Sequence, residues 1–110
     1  METKFSNMID AIKEVAAKSL PDGSQMSIFG SRARGDYSPE SDWDIHILIP
    51  GEERLSIDRI QEIAAPIEKI GWDFDQYISA MVYSYLGWKK RSFLPFYKNV
   101  ETDKVIIFQN

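Results

Sequence analysis

The sequence contains no cysteine and a single histidine among its 110 residues. Without cysteine the fold has neither a disulfide framework nor a thiolate metal site, and one histidine cannot form a His-based zinc cluster. No apolar run approaches the length needed to cross a bilayer. The first four residues, Met-Glu-Thr-Lys, lack the basic start and apolar stretch of a secretory signal. We therefore expect a cytoplasmic protein.

Positive charge is also scarce, because 13 Lys and Arg face 17 Asp and Glu, for a formal net charge of −4. This balance argues against strong nonspecific binding to nucleic acid, which needs cations that neutralise phosphates. A small anionic ligand is still compatible, since a divalent ion and a few local arginines can offset the repulsion. The apolar content of 44% supports a real core and argues against disorder. The length predicts one domain over residues 1–110.

The spacing of apolar residues predicts helices and strands that alternate along the chain. The first helix is expected to use Thr3 as its N-cap, and Pro66 is expected to kink or break the second. The predicted helices cover residues 3–19, 56–70 and 84–91, with a turn or helix at 95–99. The predicted strands cover residues 24–29, 42–49, 72–78 and 105–108. This order predicts an α+β fold with a mixed sheet flanked by helices.

A Gly-Ser pair follows the first predicted strand. Gly30 allows the backbone to approach a ligand without a Cβ clash. A short helix that begins at Ser31 would direct unpaired N–H groups and the positive end of its dipole at an anion. The pair therefore predicts a phosphate-binding bend. It differs from a P-loop, because the GxxxxGK[ST] pattern is absent.

Two carboxylates, Asp42 and Asp44, lie two residues apart on the second predicted strand and therefore emerge on the same face. Such acids repel each other unless a cation lies between them. Mg²⁺ commonly binds through one or two carboxylates together with substrate phosphates. Asp73 or Asp75, on the third predicted strand, would add a carboxylate, and three such groups can hold two ions. The pattern thus predicts a site for Mg²⁺ and a polyphosphate.

These motifs together resemble a known family. The Gly-Ser pair at 30–31, ten intervening residues and the Asp-Trp-Asp triplet at 42–44 match the GSx10DxD signature of the polymerase-β-like nucleotidyltransferase superfamily. The strings GSRARG at 30–35 and SDWD at 41–44 resemble the minimal nucleotidyltransferases of bacteria and archaea, and PFYKNV at 95–100 is similar to the ending of many such domains. The resemblance implies the nucleotidyltransferase fold, a short mixed sheet flanked by helices. It also implies transfer of a nucleotide, usually AMP from ATP, to an acceptor hydroxyl.

Carried over residue by residue, the resemblance implies that Gly30 and Ser31 hold the triphosphate. It also implies that Asp42 and Asp44 are catalytic and bind Mg²⁺. Arg34 is a further candidate for nucleotide binding.

The third acid of the family belongs on the strand after the second long helix. The resemblance places it at Asp75 first, as a base or a further metal ligand of a two-ion site, with Asp73 second. An alignment anchored on the following segment places Tyr77 there instead. The alternative function is therefore a module of the same fold that binds a nucleotide or a partner without catalysis.

The resemblance also implies a partner. Some relatives act beside a small helical HEPN-type protein and adenylylate it as antitoxins, which suggests a toxin–antitoxin system. Larger relatives carry an extra domain that binds the acceptor. Since no such domain is present here, the acceptor is expected to come from a partner protein, a second copy of the chain in a homodimer, or a small molecule.

Three further side chains near the motifs have two interpretations each. Arg32 and Arg34 either contact phosphate or pair with Asp36 and Glu40. His46 shares the face of the two aspartates. It either supports the site or, the favoured interpretation, packs on the sheet beneath a helix.

Overall fold

The computed structural model describes residues 5–110, and these form five helices and four strands. The α+β fold predicted from the sequence is confirmed, because a mixed four-stranded sheet is flanked by helices. Element bounds are α1 Ser6–Ser19, β1 Gln25–Phe29, α2 Ser31–Arg34, β2 Trp43–Ile49, α3 Ile57–Asp73, β3 Ile78–Ser84, α4 Tyr85–Lys89, α5 Pro95–Asp103 and β4 Val105–Gln109. The expected N-cap, Thr3, lies outside the described residues.

The sheet has the strand order β3-β2-β1-β4. Strand β1 pairs antiparallel with both β2 and β4, whereas β2 and β3 are parallel. Parallel neighbours need a crossover connection, and α3 supplies it. The register sets Phe29 of β1 opposite Asp44 of β2, and Trp43 beside Ile78 of β3. The last residue of β1 therefore lies next to the first acid inside β2.

Strand β2 is buried on both faces because helices cover the sheet on each side. One face packs into the main core beneath α1 and α3, through Trp43, Ile45, Ile47 and Ile49. The other face meets α4 and α5 in a smaller core of Phe29, Leu48, Trp88 and Val100. The alternation predicted for this strand is therefore confirmed. Asp44, on the second face, is only partly buried.

Helix α3 is longer than the sequence pattern indicated, and it continues past Pro66 to Asp73. Of the two outcomes predicted for Pro66, the break is therefore wrong, and the kink stays a prediction. The Ser56 side chain caps the first turn by accepting a hydrogen bond from the Arg59 N–H at 3.1 Å. At the other end, the Gly71 carbonyl accepts hydrogen bonds from two later backbone N–H groups, which closes the helix.

The prediction of a third strand at residues 72–78 is wrong. Residues 72 and 73 belong to α3, a turn follows, and β3 begins only at Ile78. A signal in the sequence favoured the helix, because Ile67, Ile70 and Phe74 extend its apolar face at three- and four-residue steps. All three pack against the main core.

Near the C-terminus the structure resolves one alternative left by the sequence. The segment predicted as a turn or helix at 95–99 is helix α5, which has Pro95 in its first turn. Strand β4 follows it and completes the sheet beside β1. Across residues 5–110, none of the helices combines the length and apolar character that a bilayer crossing requires.

Candidate active site

The bend between β1 and α2 is formed by Gly30, with φ 75° and ψ −155°. Residues with a side chain rarely adopt this backbone conformation. A Cβ atom at this position would also lie only 2.6 Å from Oδ2 of Asp44. Glycine is therefore required twice, by the turn and by the contact. The same contact shows that the Asp44 carboxylate lies directly against the Gly-Ser bend.

Asp42 and Asp44 flank Trp43 at the start of β2. The backbone there is anchored to the segment before β3, because the Trp43 N–H donates to the Tyr77 carbonyl at 2.9 Å. Burial raises the pKa of Asp44, and the neighbouring charge of Asp42 raises it further, while Arg34 opposes the shift. The charges of two carboxylates and one guanidinium therefore interact beside the bend. A cation between the acids would relieve their repulsion.

Arg34 ends α2 and links it to α5. Its Nη1 donates to Asp103 at 2.8 Å, and its Nε donates to Asp36 at 3.2 Å. Of the two expected alternatives, the ion pair with Asp36 is therefore formed. The side chain is 46% exposed and is close enough to Asp44 to lower its pKa. Asp103 was missed by sequence reasoning, because no local pattern connects residues 69 positions apart.

The structure places the candidates for the third acid outside β3. Asp73 is the last residue of α3, Asp75 lies in the following turn with φ 55°, and Tyr77 precedes the strand with an exposed ring. The β3 residue in register with Asp44 is Ser79. Within residues 5–110, no group of three or more acidic or histidine side chains is placed to hold a metal. The three-carboxylate cluster expected from the sequence is therefore not formed.

Residues 9–107 match the family model described as "Nucleotidyltransferase domain". This match spans nearly the whole chain. The protein belongs to the nucleotidyltransferase domain family. The minimal nucleotidyltransferase resemblance of the sequence is thereby confirmed, and nucleotidyl transfer is the general activity of the family. No curated protein matches the chain.

Solved structures share this fold. One is a toxin–antitoxin crystallised with AMP-PNP, with 19% identity, a TM-score of 0.66, and coverage of 93% of this chain and 73% of that chain. Another is a provisionally assigned nucleotidyltransferase from Sulfolobus solfataricus, with 26% identity, a TM-score of 0.61 and coverage of 94% and 82%. A third is the toxin–antitoxin MntA-HpeT with two aspartates changed to glutamate, with 16% identity, a TM-score of 0.63 and coverage of 93% and 73%.

Arg32 of this nucleotidyltransferase domain does not follow either expectation from the sequence. Its side chain is buried, with 7% exposure. Its Nη2 donates to the backbone carbonyl of Ser41 at 3.1 Å rather than to Asp36 or Glu40. Hydrophobic periodicity offers no signal for a buried arginine, because α2 has only four residues.

His46 is packed on the sheet beneath α4, as the favoured interpretation of the sequence predicts. Its ring centroid lies 4.3 Å from that of Trp88 and 5.6 Å from that of Tyr83. Neither ring nitrogen has a hydrogen-bond partner within residues 5–110. Burial, helped by the positive charge of Lys104, lowers the pKa of His46 to about 4. The ring is therefore neutral at pH 7 and contributes packing to the nucleotidyltransferase domain.

Proposed function

We propose that this domain is a Mg²⁺-dependent enzyme that transfers a nucleoside monophosphate, AMP from ATP, to an acceptor hydroxyl. The observation that carries the proposal is the contact between the Asp44 carboxylate and the Gly30 backbone. A phosphate-binding bend and a metal-binding acid can hold the same metal-bound triphosphate only when they are adjacent. Here a methyl group would not fit between them.

The triphosphate would bind at the bend. The first N–H groups of α2 have no partner inside the helix, and the Ser31 hydroxyl adds a donor. Arg34 would add positive charge next to Asp44. It is held at present by Asp36 and Asp103, so we expect triphosphate to compete for its donors.

Asp42 and Asp44 would hold Mg²⁺, and their chemistry fits this ion. Both offer carboxylate oxygens, the donors that Mg²⁺ prefers. Burial, and then repulsion from Asp42, raises the pKa of Asp44. Bound there, the ion would neutralise charge on the triphosphate and favour departure of pyrophosphate. A second ion would need further ligands. Asp75, or Asp73, is our candidate third acid, provided that the turn after α3 rearranges.

Two structural neighbours support the nucleotide and the acidic pair. One was crystallised with AMP-PNP, an analogue of ATP. In another, two aspartates two positions apart were replaced by glutamate, the same spacing as Asp42 and Asp44. Both neighbours are toxin–antitoxin pairs. We therefore propose a toxin–antitoxin role in the cytoplasm, in which the acceptor hydroxyl belongs to a small HEPN-type partner. A homodimer is the alternative source of that hydroxyl.

The missing third carboxylate favours a second candidate function. A domain with two acids could bind Mg²⁺ and nucleotide, or a partner, without turnover. This candidate predicts tight binding of Mg²⁺ and ATP together with no transfer to any acceptor.

Transfer of label from ATP labelled at the α-phosphate would test the proposal. The assay would contain Mg²⁺ and candidate acceptors, including the protein itself and its genomic neighbour. We expect Asp42→Asn to reduce labelling at least about 100-fold, because carboxylate and metal charge stabilise the transition state. Asp10→Asn is the matched control, since Asp10 is exposed on α1 and belongs to neither motif. Asp73→Asn and Asp75→Asn test the third acid, and only the functional one should reduce labelling.

Calorimetry would distinguish the two candidates. Binding of Mg²⁺ and ATP that is lost in Asp42→Asn, without transfer to any acceptor, supports the inactive module. Absence of Mg²⁺-dependent ATP binding in the wild type would rule out the enzyme and the nucleotide-binding form of the second candidate.

A further inference from the structure

Arg32 is an unusual residue in this fold because its charged group is buried among aromatic rings. The centre of its guanidinium lies 4.4 Å from the ring centroid of Tyr37, 4.6 Å from that of Trp43 and 5.2 Å from that of Phe5. A desolvated cation over an aromatic face is stabilised by the ring quadrupole. This arrangement fixes the guanidinium in one orientation.

One donor of Arg32, Nη2, is directed at the loop that leads into β2, whereas the buried Nε has no hydrogen-bond partner within residues 5–110. Nη2 donates to the carbonyl of Ser41 at 3.1 Å and lies 3.4 Å from the carbonyl of Pro39. It also lies 3.5 Å from the Gln76 side-chain oxygen. That oxygen accepts a second hydrogen bond, at 3.1 Å, from the indole N–H of Trp43. Arg32 therefore connects α2, the loop and the turn before β3.

The contact with Ser41 matters because its carbonyl belongs to the peptide bond that leads directly into Asp42. On the other side of Asp42, the Trp43 N–H is bonded to the Tyr77 carbonyl. Asp42 precedes β2 and so lacks the strand pairing that holds Asp44. Besides the Ser41 N–H, which donates to the Ser38 carbonyl within the same loop at 3.0 Å, these two contacts hold the peptide groups on either side of Asp42. Of the two, only the contact from Arg32 comes from the bend side of the site.

We infer that Arg32 is a positioning residue that holds Asp42 in place for a divalent cation through the Ser41 carbonyl. The inference rests on the proposed function, in which Asp42 and Asp44 share the ion. It assigns the two arginines of α2 different tasks: Arg34 faces the acids, whereas Arg32 supports the backbone of one of them. A ligand displaced by about 1 Å can lower activity on the order of 100-fold.

Lysine cannot replace arginine in this task. Its ammonium is a compact, strongly hydrated charge, whereas the planar guanidinium presents several donors in a fixed geometry and stacks on aromatic rings. Arg32→Lys therefore retains the charge and removes the fixed geometry. Arg91→Lys is a matched control, because Arg91 also stacks on a ring, that of Tyr83 at 5.0 Å, and lies after α4, far along the chain from the bend.

The test measures Mn²⁺ binding, with and without AMP-PNP, by electron paramagnetic resonance. We expect Arg32→Lys to weaken Mn²⁺ binding about 10-fold and Arg91→Lys to leave it unchanged. In the Asp42→Asn background, Arg32→Lys should cause no further loss, because a residue that acts through Asp42 has nothing left to position. Equal effects in both backgrounds, or no effect in either, would overturn the inference.

Hydrogen exchange provides a second measurement that does not depend on nucleotide. The amides of Ser41 and Trp43 are hydrogen-bonded, and we expect Arg32→Lys to accelerate their exchange at least about 10-fold relative to β1 amides. Unchanged exchange would overturn the inference. If the wild type binds no Mn²⁺, the proposed function fails while this measurement still decides the positioning role. If Arg32→Lys does not fold, Arg32→Gln, which keeps an N–H donor but removes the planar guanidinium, is judged by the same criteria.

Discussion

Replacement of Asp44 by asparagine should stabilise the fold while it abolishes the proposed activity. The Asp44 carboxylate is partly buried, lies near the like charge of Asp42, and has its pKa raised by both effects. Its side chain forms no hydrogen bond within residues 5–110 that asparagine would lose. A neutral side chain of the same shape removes both the cost of burying the Asp44 charge and its repulsion by Asp42.

The size of the effect follows from the strand geometry. Side chains two residues apart on a strand are separated by about 7 Å. Two unit charges at that distance repel each other by about 0.6 kcal/mol in water and by about 2.4 kcal/mol at the effective dielectric near a protein surface. Because Arg34 offsets part of this, we expect Asp44→Asn to raise the free energy of unfolding by about 1 kcal/mol. In a domain of this size that corresponds to a rise in Tm of roughly 4 °C or more.

The pH dependence of this gain has a definite sign. Folding raises the pKa of Asp44 above its ordinary value of 3.8, so the folded protein keeps this proton to a higher pH than the unfolded chain. Wild-type stability therefore falls, relative to Asp44→Asn, as the pH rises from 3.8 through the raised pKa. The gain should be larger at pH 7 than at pH 3.5, where the carboxyl is largely protonated in both the folded and the unfolded state.

Urea unfolding at pH 3.5, 5 and 7, beside the α-phosphate labelling assay, measures both effects. Asp10→Asn is the control for both, and its stability should differ from that of the wild type by less than about 0.5 kcal/mol. Saturating Mg²⁺ should stabilise the wild type and leave Asp44→Asn unchanged, since a ligand stabilises only a state that binds it. An Asp44→Asn variant that is less stable than the wild type at pH 7, or a gain as large at pH 3.5 as at pH 7, would contradict this prediction.

Three further substitutions test the Gly-Ser bend and the packing of His46 against Trp88. Gly30→Ala should lower the free energy of unfolding by about 1–3 kcal/mol and weaken Mn²⁺ binding, because it strains the backbone and places a Cβ against Asp44. Urea unfolding measures the first loss and Mn²⁺ titration the second. A neutral effect would contradict the geometry. His46→Leu should make the free energy of unfolding less dependent on pH in the acidic range. The wild type should lose about 3 kcal/mol as the pH falls from 6.5 to about 4, since only the unfolded chain takes up the His46 proton in that range, and unfolding curves across this range check it. Trp88→Ala should cost about 3–5 kcal/mol and return the pKa of His46 towards 6.5 in an NMR titration, whereas an unchanged pKa would show that Trp88 does not desolvate the ring.

Much of the candidate site could be predicted from local sequence patterns. Glycine at a strand end is informative because few other residues tolerate its backbone conformation. The alternation along residues 42–49 assigns one face to the core, and it placed Asp44 and His46 together on the other. These features need only neighbours a few residues away, so periodicity and spacing are sufficient to find them.

The third strand and the third acid could not be placed by the same means. Residues 72–78 alternate between apolar and polar types, as a strand does, yet they also continue the apolar face of α3. The choice depends on where that helix can end. It ends at Asp73, and the turn back to β3 follows. The chain folds back over Gly71 so closely that a side chain at this position would collide with the Gln76 carbonyl. That collision exists only in the folded chain.

Residue type and short-range spacing are sufficient to predict the α+β class, the Gly-Ser bend and the adjacent pair of acids. Which charges are buried, and which partners they meet, depends instead on how the helices and strands pack. Arg32 and Arg34 are two residues apart on one short helix, yet one lies beneath aromatic rings and the other pairs with Asp103 on α5. The physical reason is that desolvation and charge pairing depend on distances between elements, which local patterns in a sequence do not contain.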